Sequence, residues 1–145
     1  MTIGSIGTEA FAGCGSLTSL NIDDAATIGT MGDAAFAWSG LRSTGLDKVV
    51  GLSSIPENAY NACGALTDTG LGGNTSITSI GVNAFKNCSR LATTGLESNT
   101  TIKTLREGCF YGTNMSGGLT LPLYSKIEEL PSRAFYGSKL ETVYL

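Results

Sequence analysis

The stretch TSIGVNAFKNC, from Thr78 to Cys88, decides the fold because its pattern recurs along the whole chain. In this stretch Phe85 follows an alanine and precedes a cysteine by three residues. A large aromatic residue occupies the same place five more times, at Phe11, Phe36, Tyr60, Phe110 and Phe135. Successive aromatics are 25, 24, 25, 25 and 25 residues apart. A period of this length predicts a solenoid of about six coils, numbered here 1 to 6 by these aromatics.

The residues around each aromatic repeat as well, with the aromatic counted as position 0. Position −8 is isoleucine or leucine in all six coils, and position −5 is isoleucine, leucine or methionine. Position −1 is alanine in every coil except the fifth, where it is Cys109. Because equivalent positions of successive coils stack on one another, we predict ladders of like side chains and one column of aromatic rings in the core.

A second apolar segment follows the aromatic, and in coil 1 it reads LTSLNI, residues 17–22. Its alternation places Leu20 and Ile22 on one face of a strand and Asn21 on the other. We therefore predict that this segment builds the main parallel sheet, with strands about 4.8 Å apart. In coils 2 to 4 a threonine takes the inward slot before a glycine, which predicts a buried hydroxyl ladder and an outward row of glycines: Thr44–Gly45, Thr69–Gly70 and Thr94–Gly95.

Composition argues against nucleic acid and membrane partners. The net charge is −3 without a basic cluster, whereas nucleic-acid binding requires a lysine and arginine footprint. No apolar run approaches the roughly 18–20 residues that span a bilayer, so we expect no membrane insertion. The opening residues MTIGSIGTEAF contain no signal peptide, which leaves an intracellular protein or a piece of a longer secreted one. We favour the second, because neither end has the polar repeat that covers a terminal coil.

Catalysis is not expected, because the chain has no histidine. This absence removes the usual general base, the usual metal ligand and every serine–histidine or cysteine–histidine pair. The acidic pairs Asp23–Asp24 and Glu128–Glu129 are adjacent in sequence, so on a strand their side chains point to opposite faces. We expect no catalytic residue and no cofactor, and a glycan-processing enzyme remains only a remote alternative.

The four cysteines are interpreted mainly as free buried thiols. Their gaps of 49, 25 and 21 residues differ from the close paired spacings of zinc sites, so no metal is expected. Cys63 and Cys88 lie one coil apart, within reach of a disulfide, but parallel side-chain directions disfavour the required dihedral angle. A bridge between them stays open. Glycosylation also stays open at four Asn-x-Ser/Thr sequons, which begin at Asn74, Asn87, Asn99 and Asn114.

The phrases SIGVNAFKNCSRL, residues 79–91, and SIGTEAFAGCGSL, residues 5–17, resemble the BspA-like leucine-rich repeats. The resemblance covers all six coils, so residues 1–145 are interpreted as a single leucine-rich-repeat solenoid segment, a fragment of a longer protein. It implies a parallel sheet on one face, with short strands, turns or one-turn helices on the other. It also implies an extracellular or cell-surface adhesin without catalysis, and it supplies no fixed binding residues.

Six residues are candidates for ligand binding. Outward slots of the predicted sheet hold Arg42, Asp68 and Tyr144, and tyrosine and arginine are common in binding hot spots. Trp38, Tyr111 and Tyr136 lie on the solvent side of the core aromatics, and the two tyrosines are equivalent residues of adjacent coils that we expect to stack. These three aromatics are candidates for a recognition strip, or they only shield the edge of the coils.

Two functions are therefore carried forward. The first is a non-enzymatic binding or adhesion module that recognises a host protein or glycan through its repeat surface. The alternative is a structural spacer or self-assembling repeat segment without a ligand of its own. End-to-end self-association is possible because uncapped ladder ends and strand edges invite pairing.

Overall fold

The computed structural model describes residues 1–121 and 125–145, and it shows the six coils wound into one solenoid with parallel strands. A 3-10 helix, Leu46–Lys48, is the helical segment of the described ranges. The strands are β1 (Thr2–Ile6), β2 (Ala26–Met31), β3 (Val49–Val50), β4 (Ser54–Ile55), β5 (Ser79–Ile80), β6 (Thr104–Leu105), β7 (Ser116–Thr120) and β8 (Lys139–Tyr144).

Parallel pairing joins equivalent positions of successive coils between β1 and β2 and throughout β4, β5 and β6. The sheets have the orders β1-β2-β3, β4-β5-β6 and β7-β8. In the second sheet Ser54 pairs with Ser79, and Ser79 pairs with Thr104, so each partner lies one coil further along the chain. This register confirms the repeat period as the unit of stacking.

The sheets do not lie where the sequence placed the main one. The first two precede the aromatic, whereas the predicted segment after the aromatic forms extended strands only in coils 5 and 6, as β7 and β8. In coils 2 to 4 the glycine that follows the inward threonine has a left-handed φ, which ends an extended strand. These φ values are +70° at Gly45, +65° at Gly70 and +78° at Gly95.

The prediction of an outward row of glycines is also wrong at Gly70 and Gly95. A Cβ on Gly70 would lie 2.9 Å from the backbone nitrogens of Leu46 and Asp47 in the preceding coil. A Cβ on Gly95 would lie 2.8 Å from the backbone nitrogen of Gly72. Gly70 and Gly95 are therefore sites where the backbones of neighbouring coils approach each other too closely for a side chain, whereas a Cβ on Gly45 would meet the side chain of Ile22 at 2.8 Å.

The buried hydroxyl ladder is confirmed. Thr44, Thr69 and Thr94 are at most 1% exposed. The hydroxyl of Thr44 donates to the carbonyl of Thr69 at 2.6 Å, and that of Thr69 donates to the carbonyl of Thr94 at 2.7 Å. Each hydroxyl also accepts a backbone N–H two residues later. The ladder thus joins coils through groups that would otherwise be buried without partners.

The six aromatic residues form the predicted column. Neighbouring ring centroids are 5.2–5.6 Å apart, and no pair of ring planes is inclined by more than 8°. The four central rings are at most 1% exposed, whereas Phe11 at one end is 40% exposed. Interior rings are therefore covered by a ring on both sides.

The backbone around each aromatic forms a tight series of turns, which we call the aromatic arc (positions −3 to +2). At positions −2 and +2 the φ angle is left-handed in all six coils, between +53° and +77°. The N–H groups at positions −2, 0 and +2 donate to the carbonyls at positions −3, −1 and +1 of the next coil. This pattern recurs at all five junctions, with N···O distances of 2.7–3.1 Å. All these donors point toward the C-terminal end of the solenoid.

The cysteines are free thiols, as expected, and three of them are buried. The thiols of Cys63 and Cys88 donate to the carbonyls of Phe36 and Tyr60, both at 3.1 Å, and do not bridge. Burial raises the pKa of both thiols. Cys14 departs from the expectation of burial, because it lies on the outer face of coil 1.

Candidate interaction surface

The structure distributes the six predicted surface residues instead of gathering them. Arg42 and Asp68 line one groove. Tyr111 and Tyr136 stack on the outside of the aromatic arc. Trp38 is exposed in coil 2, and Tyr144 lies at the face of coil 6.

Three equivalent residues of coils 4 to 6 form what we call the tyrosine strip: Lys86, Tyr111 and Tyr136, all at position +1. The rings of Tyr111 and Tyr136 stack as predicted, with centroids 5.0 Å apart and an interplanar angle of 17°. The ammonium group of Lys86 lies 5.0 Å from the centroid of the Tyr111 ring, a cation–π geometry. Tyr136 is 60% exposed, so the strip ends in an open aromatic face.

A shallow groove of about 250 Å³ borders the tyrosine strip. Its walls combine Lys86 and Tyr111 with Asn83, Glu107 and Arg133. An aromatic face beside amide, carboxylate and guanidinium groups offers both hydrogen-bond donors and acceptors around an apolar plane. This combination suits the hydroxyl groups and C–H face of a sugar ring, and equally the polar side chains of a protein.

Arg42 and Asp68 line a second groove, of about 500 Å³, on coils 1 to 3. The carboxylate of Asp68 accepts the backbone N–H of Gly70 at 2.9 Å, which fixes its orientation. Asp47 and Lys48 line the same groove, so charges of both signs surround it. We call it the polar groove.

Tyr144 lies at another site, a groove of about 780 Å³ at the face of coil 6. Its lining includes Glu128, Glu129 and the 92% exposed side chain of Leu145. Tyr144 therefore shares no groove with Arg42 or Asp68, although the sequence placed all three on one sheet face.

Trp38 is 58% exposed and has a φ of +56°. A left-handed backbone costs a non-glycine residue about 1–2 kcal/mol. Coils 1, 5 and 6 avoid this cost with glycine at the same position, namely Gly13, Gly112 and Gly137. Trp38 thus combines an unfavourable backbone with a side chain that adds little to the core.

Three neighbours of the tyrosines were not predicted from the sequence, namely Lys86, Glu107 and Arg133. An alignment at position +1 contains the signal for Lys86, since it lies one coil before Tyr111 in the same slot. Glu107 and Arg133 lie at positions −3 and −2, and only the folded arc brings them beside Tyr111.

Two of the four sequon asparagines are structural. Asn74 and Asn99 are 3% and 6% exposed. The amide of Asn74 donates to the carbonyls of Leu46 and Val49 at 2.7 and 3.0 Å, and Asn99 repeats this arrangement one coil later. Both side-chain nitrogens are therefore fully engaged in the folded chain, whereas Asn87 and Asn114 are exposed.

Metal and membrane geometry can be stated for residues 1–121 and 125–145. Within these ranges no three His, Cys, Asp or Glu side chains are grouped so that they could hold a metal ion. The same ranges contain no helix with the length and hydrophobicity needed to span a bilayer.

Comparison with known proteins gives one family and one similar solved structure. The profile described as "BspA type Leucine rich repeat region" matches in six copies over residues 4–141. The crystal structure of a leucine-rich repeat protein from Bacteroides ovatus ATCC 8483 is similar in fold, with a TM-score of 0.62 and 16% sequence identity. The similarity covers 97% of this chain but only 40% of that protein. No curated protein sequence matches the chain.

Proposed function

Because the chain belongs to the BspA-type leucine-rich repeat family, we propose that it is a non-enzymatic binding module of a cell-surface protein, with the tyrosine strip as its ligand-binding surface. Repeats of this family are protein-interaction modules, and proteins that contain them are typically surface proteins. The ligand in this proposal is a host protein or a glycan, and the chain is one solenoid segment of a longer extracellular protein.

The observation that carries the proposal is the stacked pair of half-buried Tyr111 and exposed Tyr136, with Lys86 beside Tyr111. Tyrosine is rich in binding hot spots because its large rigid surface loses little conformational entropy on binding. Stacking holds both rings in place before any ligand arrives, which lowers the entropic cost of binding further. The bordering groove adds polar groups that would orient a ligand on the rings.

The test measures binding of the chain to host matrix proteins and to a glycan array, with variants of each candidate surface. For a strip ligand we expect Tyr136→Ala and Lys86→Ala to weaken binding about tenfold each, as hot-spot substitutions do. Lys103→Ala removes an exposed lysine outside the tyrosine strip and serves as the control. Circular dichroism spectra of the variants establish that the fold is retained.

Other outcomes point to the other predicted residues. Loss of binding with Arg42→Ala or Asp68→Ala, but not with strip variants, would move the ligand to the polar groove and overturn the assignment of the strip. Loss of binding with Trp38→Ala or Tyr144→Ala, but not with strip variants, would likewise move the ligand to the surface around that residue. Turnover of a glycan on the array, lost when a carboxylate is substituted, would overturn the non-enzymatic proposal.

Self-assembly is the second candidate function, and the unequal burial of the ring column favours it. Phe11 is 40% exposed, whereas Phe36 beside it is 1% exposed. An apolar groove of about 350 Å³ surrounds Phe11 and includes Ile3, Ile6 and Leu20. Exposed apolar surface of this kind favours association. Light scattering over a concentration series tests this candidate, because self-assembly must produce particles larger than the monomer.

A further inference from the structure

We propose that the surface formed by Trp38, Glu57, Asn58 and Asn61, called here the Trp38 surface, binds a sugar unit. The ligand of the chain is then a linear glycan that runs along the aromatic arc from the Trp38 surface to the tyrosine strip. This inference rests on the proposed binding function and names the class of its ligand. The residues that carry it lie in coils 2 to 5, and each of these coils has a neighbouring coil on both sides.

The indole of Trp38 is the apolar part of this surface. It is 58% exposed, although coils 1 and 3 lie on either side of it. Its neighbours at position +2, Gly13 and Ala62, are too small to cover it. Among residues 1–121 and 125–145 no aromatic ring stacks on the indole and no cationic group lies over it. The electron-rich face of the ring is therefore free to contact the C–H groups of a ligand.

The backbone of Trp38 favours a role in binding over a role in folding. Its φ of +56° is a conformation that bulky residues rarely adopt, and glycine occupies the same position in coils 1, 5 and 6. Glycine at position 38 would remove the cost of this backbone. Backbone strain of this kind is concentrated at functional sites, where the side chain is needed for something other than the core.

A chain of three polar side chains lies beside Trp38 in coil 3. The backbone N–H of Trp38 donates to the backbone carbonyl of Asn61 at 2.8 Å, so the two residues are adjacent. The side-chain amide of Asn61 donates to the side-chain oxygen of Asn58 at 3.2 Å. The amide of Asn58 donates in turn to the carboxylate of Glu57 at 3.3 Å. These bonds orient both carboxamides before a ligand binds, which lowers the entropic cost of binding.

An open aromatic face beside oriented amide and carboxylate groups suits a sugar better than a protein. Each carboxamide has donors and an acceptor, and these match hydroxyl groups, which both donate and accept. In a protein hot spot, by contrast, surrounding side chains exclude water from the central aromatic residue. The neighbours of Trp38 at positions +1 and +2 are too small for this purpose, namely Ala12, Gly13, Ala37 and Ala62.

Hydrogen-bonding side chains continue from coil 3 toward the tyrosine strip. Asn83 and Lys86 of coil 4 occupy positions −2 and +1, as Asn58 and Asn61 do in coil 3. The carboxamide of Asn83 lies over Gly108 of coil 5, where an added Cβ would be 2.5 Å from its oxygen. Glycine at this position therefore leaves room for the amide between the two coils.

The length of this surface sets the length of the ligand. Trp38 and Tyr111 lie three coils apart, and the centroids of the core rings are 5.3–5.4 Å apart at each of these junctions. A single sugar ring does not span three such steps, whereas a linear chain of several units does. Because the second contact of such a chain is intramolecular, we expect it to bind at least about a hundredfold more tightly than its monosaccharide unit.

Fluorescence tests the Trp38 surface directly, because the chain contains one tryptophan. The probes are soluble xylan, laminarin, pullulan and mucin glycans, together with gelatin as a protein that lacks tryptophan. We expect at least one of the polysaccharides to shift the emission to shorter wavelengths and to protect the indole from quenching by acrylamide. Both changes follow when a stacked sugar removes water from the ring.

Substitutions separate binding from folding. We expect Trp38→Gly and Asn61→Ala each to weaken binding of that polysaccharide about tenfold, measured by electrophoresis in gels that contain it. Trp38→Gly should also unfold at a higher urea concentration, because glycine adopts a left-handed φ without strain. The matched control is Ala62→Gly, which relieves a φ of +58° at the same position one coil later and should keep full affinity.

Several results would overturn the inference without affecting the proposed function. One is an unchanged emission on binding of a polysaccharide that Tyr136→Ala releases, since the ligand would then contact the strip alone. Another is a shift with gelatin and with none of the polysaccharides, which would make the ligand a protein. Equal affinity for a polysaccharide and its monosaccharide unit would exclude a linear ligand. A lower urea midpoint for Trp38→Gly, with unchanged affinity, would identify the indole as a cover of the coil edge.

A broader failure is distinguishable from these results. If neither the polysaccharides nor the host matrix proteins bind the chain, both the inference and the proposed binding function are overturned.

Discussion

Tyr60 is the one residue of the ring column that carries a hydroxyl, and this hydroxyl has no hydrogen-bond partner among residues 1–121 and 125–145. The side chain is fully buried between the rings of Phe36 and Phe85, 5.4 and 5.3 Å away. Burial also raises the pKa of its phenol. A buried polar group without a partner costs about 1–3 kcal/mol, which the phenylalanines of the other five coils avoid.

We therefore expect Tyr60→Phe to raise the free energy of unfolding, by about 1 kcal/mol after allowance for the small space left by the oxygen atom. Urea unfolding followed by circular dichroism measures the change. The reverse substitution at the neighbouring position, Phe85→Tyr, is the matched control and should lower stability. A less stable Tyr60→Phe variant would show that the hydroxyl has a partner in solution.

The buried thiol of Cys109 makes the free energy of unfolding depend on pH in the alkaline range. Burial raises the pKa of its thiol to about 12. The folded chain thus holds this proton more tightly than the unfolded chain, whose thiol pKa is about 8.5. The stability that the protonated thiol contributes is fully present below the unfolded-state pKa of about 8.5, and it is lost as pH rises toward about 12. Unfolding free energies measured from pH 8 to 11 should therefore decrease.

The Cys109→Ala variant isolates this contribution, because alanine occupies position −1 in the other five coils. Its stability should fall less steeply with pH than that of the unmodified chain. Some dependence should remain, since burial also raises the pKa of Cys63 and Cys88. Equal slopes for the two chains would contradict the assignment.

Among the structural elements, the loop held by Asn74 shows how side chains join neighbouring coils. Its amide donates to two carbonyls of the preceding coil, and its oxygen accepts the N–H groups of Ser76 and Ile77 at 2.9 and 2.8 Å. We expect Asn74→Ala to cost about 2–4 kcal/mol, because it leaves several buried backbone groups without partners.

Thermal or urea unfolding of Asn74→Ala measures this cost, and Asn114→Ala is its control. Asn114 begins another sequon, but its side chain is exposed, so its loss should change stability by less than about 0.5 kcal/mol. Comparable losses in both variants would mean that the buried amide contributes no more than an exposed one.

Structural features that depend on the repeat period could be predicted from the sequence, and features that depend on packing between coils could not. The aromatic column and the threonine ladder depend on residue identity at a fixed period, so Phe85 and Thr69 were placed correctly from the sequence. The location of the sheets was not, because the left-handed φ of Gly70 interrupts the predicted strand. A glycine in an alternating pattern is compatible with an outward strand position or a turn, and only packing against Leu46 distinguishes them.

The candidate site shows the same division. The stacking of Tyr111 on Tyr136 followed from the period, since both occupy position +1. The separation of Tyr144 from Arg42 could not be predicted from the period, because it depends on which segments are strands and how many coils lie between the two residues. Glu107 and Arg133 reach the groove through the fold of the arc, which leaves no periodic signal in the sequence.

On the scale of the whole molecule, the solenoid is a directional stack whose strength varies along its length. Each coil contacts its neighbours, so stability is approximately a sum of coil and junction contributions. The central rings have a neighbour on both sides and are almost fully buried, whereas Phe11 has one neighbour and remains 40% exposed. The same substitution should therefore have different effects in the middle and at the end of the column.

We expect Phe85→Ala to lower the free energy of unfolding by about 3–5 kcal/mol, because it opens a cavity between the rings of Tyr60 and Phe110. Phe11→Ala should cost less than about 2 kcal/mol, since much of that ring is already in contact with water. Urea unfolding at a protein concentration where the chain is monomeric measures both losses. Equal losses would mean that two-sided stacking adds nothing, and the ring column would then not be the source of the solenoid's stability.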